Sequence, residues 1–238
     1  MDYWFLDRWL LERFNHLVAV SVFVSKLAII FTSSFPNLII ACGVVALWFS
    51  KGFKTPFSFN IRCKILLMFF SFVPTYILAR LSQNIFPRPR PMISVPLEMT
   101  TDLKSWNSAE THFSHWGSFP SDHAALFFIV NVFVFNINNK LGYLSLIFTT
   151  YCSFFRIGTG YQWPSDIVGG AFLGFSVSLL MLSIEHPLKN ILSRLILQFK
   201  RYPTPAYTIS FLFLSDLAQD FHHLRLIASL LFNIGIFH

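Results

Sequence analysis

Three short clusters of residues could carry chemistry, and each combines groups that favour a bound anion. The first is the stretch Pro-Arg-Pro-Arg-Pro at residues 87–91, in which Arg88 and Arg90 stand on a stiff, extended backbone. A guanidinium suits phosphate because its planar fork donates two parallel hydrogen bonds. Taken alone, the two arginines could equally contact lipid headgroups at a membrane interface.

The second and third clusters each contain Pro-Ser-Asp, which is typical of a helix start. Residues 120–123 read Pro-Ser-Asp-His, so His123 falls in the first helical turn, where it can titrate near neutral pH. Residues 156–166 begin with Arg156 and repeat Pro-Ser-Asp at their end. A helix N-terminus offers free N–H groups and partial positive charge, so both places favour an anion. The alternative for each is an ordinary helix cap.

The elements that position these clusters must be membrane helices. Hydrophobic residues make up 54% of the 238 positions, and charged residues only 12%, against about 25% in an average soluble domain. A water-soluble globule of this size could not hide so much apolar surface, and a disordered chain would need low hydrophobicity and high charge. The composition therefore predicts a single-domain protein that crosses the membrane several times.

The apolar segments predict an all-α membrane bundle of about six transmembrane helices with amphipathic terminal helices. A span needs about 20 mainly apolar residues. The candidates are residues 16–33, 35–50, 64–81, 124–137, 141–157 and 167–184. We therefore expect an interfacial N-terminal helix at 1–15, a membrane domain at 16–186, and an amphipathic tail at 187–238 that is cytoplasmic or interfacial.

The basic residues predict the orientation. They are concentrated between the second and third spans, between the fourth and fifth, and after the sixth. Cytoplasmic loops carry an excess of Lys and Arg, so we expect these regions and both termini on the cytoplasmic side. Connections 82–120 and 158–166 then face the exterior, together with the three clusters. The net charge of +7 fits anionic membrane lipids as partners, and no nucleic-acid module is found.

The convergence of the clusters predicts a phosphate site on an enzyme that acts on lipids. Three arginines, one histidine and two helix N-termini meet on one face of the predicted bundle. No metal or other cofactor is expected, because the arginines and helix ends supply the positive charge and no carboxylate cluster could hold a cation. Vanadate is expected to mimic the phosphate.

The order and spacing of the clusters resemble the type-2 phosphatidic acid phosphatase superfamily, which includes undecaprenyl-diphosphatases and vanadium haloperoxidases. Its pattern is Lys, six residues, Arg-Pro; Pro-Ser-Gly-His; and Ser-Arg, five residues, His, three residues, Asp. Arg90 matches the end of the first motif, residues 120–123 match the second with Asp122 in place of Gly, and Arg156 and Asp166 match the third. The Asp122 variant is similar to the bacterial diphosphatase branch, and the resemblance covers about residues 66–180.

Three positions depart from the pattern: Gln83 replaces Lys, Phe155 replaces Ser, and Gln162 replaces the third-motif His. The resemblance implies that this His is the nucleophile, that the second-motif His protonates the leaving oxygen, and that the Asp orients the nucleophile. A carboxamide is a poor nucleophile and has no useful pKa.

The resemblance therefore implies a divided site. The expected catalytic residues are His123, Asp166 and Gln162, and the expected phosphate-binding residues are Arg88, Arg90, Arg156, Ser121 and Gln83. Three mechanisms stay open. His112 or His115 could supply the nucleophile, Gln162 could orient a water that attacks directly, or the protein could bind phosphorylated lipid without turning it over.

The expected function is dephosphorylation of a lipid phosphate or diphosphate, such as a polyprenyl diphosphate or a phospholipid intermediate, at the exterior face of a bacterial inner membrane. The alternatives are a non-catalytic lipid-phosphate-binding protein and a lipid phosphotransferase. A vanadium haloperoxidase is disfavoured because the vanadate-ligating His is the replaced residue. A transporter is disfavoured because broken helices and inverted repeats are not found. Neither the identity of the lipid nor the oligomeric state is predicted.

Overall fold

The computed structural model describes residues 5–50, 56–109 and 117–218, and this part of the chain is all-α. The predicted all-α class is therefore confirmed. The described helices are α1 Phe5–Ala19, α2 Val22–Thr32, α3 Phe35–Phe49, α4 Pro56–Ile85, α5 Pro91–Ser94, α6 Thr101–Ala109, α7 Asp122–Ile137, α8 Asn139–Gly158, α9 Pro164–Ser183, α10 Glu185–Arg201 and α11 Pro203–Ala218.

Two of the described helices are long and apolar enough to cross a membrane, namely Phe59–Ile85 within α4, and α9. Helices α3 and α7 are apolar but shorter, with 15 and 16 residues. A third span is counted if α1 and α2 are taken together, but these helices are bent by 118°. The prediction of one continuous span at residues 16–33 is therefore wrong. Ser21 interrupts it as the N-cap of α2, where its side chain accepts a hydrogen bond from the backbone N–H of Phe23 at 3.2 Å.

Helices α7, α8 and α9 form the centre of a compact unit that also contains α1, α2, α5, α6 and most of α4. The most extensive helix contact among the described residues is between α7 and α9, and α9 presents two glycines four residues apart to α7. A side chain at Gly170 would collide with the carbonyl oxygen of Ser121, and one at Gly174 with that of Ala125. Small residues at this spacing let two helices pack backbone to backbone. The contact aligns the two helix N-termini.

Replacing Gly174 with Ala is expected to lower the stability of the protein by about 1–3 kcal/mol, the usual cost of overpacking. The added methyl group would collide with backbone atoms of Ala125, which cannot rotate away as a side chain can. The measurement is thermal unfolding in detergent. Gly43→Ala is the matched control, since a Cβ there meets no atom within 4 Å. Equal melting temperatures for the two variants would contradict the close packing of α7 and α9.

Helices α3 and α11, with the adjoining parts of α4 and α10, form a second unit. Its centre is Trp48, whose ring centroid lies 5.0 Å from that of Phe199 and whose indole N–H donates to the hydroxyl of Tyr207 at 3.2 Å. The Nη2 of buried Arg62 donates to the carbonyl of Trp48 at 3.0 Å. The described part of the tail predicted at 187–238 contains most of α10 and all of α11, and residues 219–238 lie outside the described part.

Candidate functional site

The three clusters meet where α7 and α9 begin. The backbone N–H of Ser121 donates to the carbonyl of Asp166 at 3.0 Å, so the second cluster touches the third. Residues that adjoin the clusters join the first to the other two: the N–H of Ser118 donates to the carbonyl of Arg88 at 2.8 Å, and the N–H of Met92 donates to that of Gly160 at 2.9 Å. Residues far apart in sequence are thereby held by backbone hydrogen bonds.

His123 lies in the first turn of α7 between a carboxylate and a guanidinium. Its Nδ1 is 3.1 Å from Oδ1 of Asp122 and 3.1 Å from Nη2 of Arg156. A ring nitrogen either donates or accepts, so only one of these contacts is a hydrogen bond in a given protonation state. Both contacts engage Nδ1, and proton transfer to a ligand would therefore use Nε2.

Arg156 is buried at the end of α8. Its Nη1 donates to the carbonyl of Thr32 at 3.0 Å, which fixes the guanidinium against α2. Its Nε has no hydrogen-bond partner among the described residues. A buried cation with an unused donor is suited to hold an anion, because the anion would satisfy both the charge and the hydrogen bond.

Arg90 is also buried, and its Nη1 donates to the carbonyl of Tyr161 at 3.2 Å. Burial lowers the pKa of the Arg90 guanidinium, and the carboxylate of Asp122 opposes that change. The positive charges of Arg156 and Arg80 lower the pKa further. Three guanidiniums therefore influence one another here, and a bound anion would relieve their repulsion.

Gln162 occupies the position of the third-motif His and is fully buried. In the amide orientation that satisfies its surroundings, its nitrogen donates to the carbonyl of Ser118 at 2.9 Å and to Oδ2 of Asp166 at 3.3 Å. The amide nitrogen is thus committed to protein acceptors. Gln162 takes the place beside Asp166 that a histidine would take, without offering a nucleophilic nitrogen.

Asp166 and Arg88 form a buried ion pair that fixes the start of α9. Oδ2 of Asp166 accepts the backbone N–H of Trp163 at 2.8 Å, which caps the helix. Oδ1 accepts from Nη1 of Arg88 at 2.8 Å, and Nη2 of Arg88 donates to Oδ2 of Asp7 at 2.6 Å. Arg88 was predicted to bind phosphate, yet it bridges two protein carboxylates.

Asp7 is a site residue that the sequence did not reveal. From α1 it reaches the start of α9, where its carboxylate accepts two hydrogen bonds from Ser165. The backbone N–H of Ser165 donates at 2.9 Å, and the hydroxyl of Ser165 donates at 2.5 Å. Further along α1, the amide of Asn15 donates to the carbonyl of Gly158 at 2.9 Å.

The prediction that the N-terminal region lies on the side opposite the clusters is therefore wrong. The bend between α1 and α2 returns α1 to the end of the unit that carries the site.

Two more predicted phosphate ligands bind the protein itself. The hydroxyl of buried Ser121 accepts the N–H of Ala124 at 3.3 Å and so caps α7. The carboxamide of Gln83 is used at both ends: Nε2 donates to the carbonyl of Pro120 at 3.0 Å, and Oε1 accepts from Nη1 of Arg80 at 2.9 Å.

Arg80 is the second site residue that no motif of the sequence indicates. Its only signal was its position three residues before Gln83, which places both on one face of α4 near the end of an apolar span.

The predicted nucleophile candidates His112 and His115 lie outside the described residues. Within the described residues, no three His, Cys, Asp or Glu side chains are grouped so that they could hold a metal ion.

Comparison with known proteins agrees with the motifs. The sequence model of the PAP2 superfamily matches residues 64–189, more than half of the chain. Bacitracin transport permease protein BcrC of Bacillus licheniformis is 26% identical over 144 residues, which cover 60% of this chain and 64% of that protein. The chain thus aligns with slightly less than two thirds of that relative's length. No solved structure gives a significant match. The chain belongs to the PAP2 superfamily.

Proposed function

We propose that the protein removes a phosphate group from a lipid phosphate or diphosphate, such as a polyprenyl diphosphate or a phospholipid intermediate. The observation that carries this proposal is the buried guanidinium of Arg156 beside His123 at the N-terminus of α7, together with the buried guanidinium of Arg90, which interacts electrostatically with Arg156 and Asp122. Fixed positive charge of this kind stabilises the oxygens of a phosphoryl group as their charge changes during transfer. Membership of the PAP2 superfamily supports the same reaction class.

In this proposal each residue has one task. Arg90 and Arg156 hold the phosphate oxygens, and His123 gives a proton from Nε2 to the leaving oxygen. Because Gln162 is no nucleophile, a water attacks the phosphorus, and the amide oxygen of Gln162 orients it. The new P–O bond forms as the bond to the lipid oxygen breaks. One water proton stays on the released phosphate, and the other returns to His123 through solvent.

We place the site at the exterior face of a bacterial inner membrane. This is supported by two lysines near the C-terminal end of α7, because His123 lies at the other end of that helix. Lys64 donates to the carbonyl of Asn136 at 2.7 Å, and Lys140 follows in the first turn of α8. Lys and Arg favour the cytoplasmic ends of spans, so the opposite end carries an exterior site.

The alternative is a protein that binds lipid phosphate without turning it over. Gln162 favours this alternative, since it is buried and its amide nitrogen is bound to Ser118 and Asp166. A phosphotransferase would use the same cations and pass the phosphoryl group to an acceptor other than water.

The test is phosphate release by the purified protein in detergent from undecaprenyl diphosphate and from phosphatidic acid, with Gln162→His measured beside it. We expect release by the unmodified protein and at least about tenfold faster release by Gln162→His, because the imidazole would meet Asp166 and act as a nucleophile. Gln198→His, a histidine on the exposed face of α10, is the matched control.

The outcomes separate the candidate functions. If the unmodified protein releases no phosphate and Gln162→His does, the chain is a binding protein that has lost its nucleophile. If both proteins are folded and neither releases phosphate, the hydrolase proposal fails. Release that requires an added alcohol acceptor would identify a phosphotransferase.

A further inference from the structure

Arg80 is a largely buried cation at the end of α4 that no motif assigns. Its side chain is 15% exposed. Its Nη2 donates to Oδ2 of Asp122 at 2.8 Å, its Nη1 donates to Oε1 of Gln83 at 2.9 Å, and its guanidinium carbon lies 4.9 Å from the ring centroid of Tyr76. Two hydrogen bonds and a ring contact therefore hold the guanidinium in one position.

The two side chains that accept from Arg80 are the two that depart from the first and second motifs. Gln83 stands for Lys, and Asp122 stands for Gly. A lysine at position 83 would repel Arg80, and a glycine at position 122 would offer it no carboxylate. The presence of Arg80 thus fits these two replacements together, as a set of three residues.

The guanidinium of Arg80 also lies where a lysine at position 83 would bring its charge. A lysine side chain is one bond longer than glutamine, and Nη1 of Arg80 is 2.9 Å from the amide oxygen of Gln83. The charge of Arg80 acts on Arg90 as that of Arg156 does, so the three guanidiniums belong to one electrostatic site.

We propose that Arg80 is a phosphate-binding residue that supplies, from one helical turn earlier, the positive charge that the motif supplies with lysine. This inference rests on the proposed function, because it concerns the same phosphate site. Asp122 has a positioning role: one carboxylate oxygen holds Arg80 and the other contacts His123. Gln83 holds Arg80 from the other side.

The test is the binding of orthovanadate to the purified full chain in detergent, measured by isothermal titration calorimetry. Arg80→Ala is expected to weaken binding roughly ten- to hundredfold, the range for one lost charge-assisted hydrogen bond. Arg8→Ala is the matched control, since Arg8 forms an exposed ion pair with Glu12, and it should leave binding unchanged. If Arg80→Ala does not fold, Arg80→Gln is judged by the same criterion.

Rescue variants separate a phosphate ligand from a merely structural residue. Arg80→Ala combined with Gln83→Lys should restore binding to within about threefold of the unmodified protein, because the lysine returns the charge to the same place. Failure of this rescue in a folded protein would overturn the inference. So would equal rescue by Asp122→Asn in the Arg80→Ala background, which would mean that Arg80 only neutralises Asp122.

The remaining outcomes distinguish this inference from the proposed function. Vanadate binding that depends on Arg80, without phosphate release from either lipid, supports the inference while the hydrolase proposal fails. Phosphate release together with vanadate binding that is insensitive to Arg80→Ala overturns the inference alone. If the unmodified protein binds no vanadate, the inference is overturned; the hydrolase proposal is overturned with it only if neither lipid yields phosphate.

Discussion

Replacing His123 with Ala is expected to lower phosphate release by roughly 10²–10⁴-fold, the usual contribution of a general acid. His123 is positioned for this role by Asp122 and Arg156, whose contacts with Nδ1 fix the orientation of the ring. The measurement is the initial rate of release from phosphatidic acid and from undecaprenyl diphosphate. Vanadate affinity, measured on the same sample, reports whether the phosphate site is intact.

The fold reduction in phosphate release by His123→Ala should be larger for phosphatidic acid than for undecaprenyl diphosphate. An alcohol oxygen leaves poorly unless it is protonated, whereas a lipid monophosphate leaves readily as an anion. The ratio of the two losses therefore separates a missing acid from a damaged site, which would slow both substrates alike. His16→Ala is the matched control, because His16 is exposed and forms its ion pair with Glu98. Undiminished release by His123→Ala would contradict the assigned role.

Replacing Arg88 with Met is expected to lower the free energy of unfolding by about 3–5 kcal/mol, the range for removing one partner of a buried ion pair. The substitution leaves the carboxylates of Asp7 and Asp166 buried without their shared cation. It also removes a hydrogen bond to the hydroxyl of Ser165 at 2.6 Å. Unfolding by heat or by denaturant in mild detergent gives the measurement.

Removing the stranded charges should restore much of the lost stability. In the Arg88→Met background, Asp7→Asn and Asp166→Asn together leave neutral groups that are less costly to bury than carboxylates. Arg8→Met is the matched control: its pair with Glu12 is exposed, so a change of no more than about 1 kcal/mol is expected. A similarly small effect of Arg88→Met would show that Arg88 does not hold α1 and α9 together.

The start of α7 and the start of α9 could be predicted from sequence because both are set locally. Pro-Ser-Asp signals a helix N-terminus wherever it occurs, and Ser121 and Asp166 act as the caps. The gathering of the clusters could also be predicted, since connections between alternate spans lie on one side of a membrane.

The partners of the arginines could not be predicted, because they depend on contacts between distant residues. Arg88 meets Asp7 across 81 positions, and Arg80 meets Asp122 across 42. The predicted first span failed for a different reason. Hydropathy measures composition over a window and does not register that Ser21 starts a new helix in another direction.

The docking of Asp7 decides which end of the chain suits a fusion partner. Asp7 stands six positions after Met1 in the sequence, and a fully extended chain over six positions reaches only about 20 Å. The hydrocarbon layer of a bilayer is about 30 Å thick. A reporter domain fused ahead of Met1 would therefore be held within about 20 Å of Asp7, at the end of the unit that carries Arg88 and the start of α9.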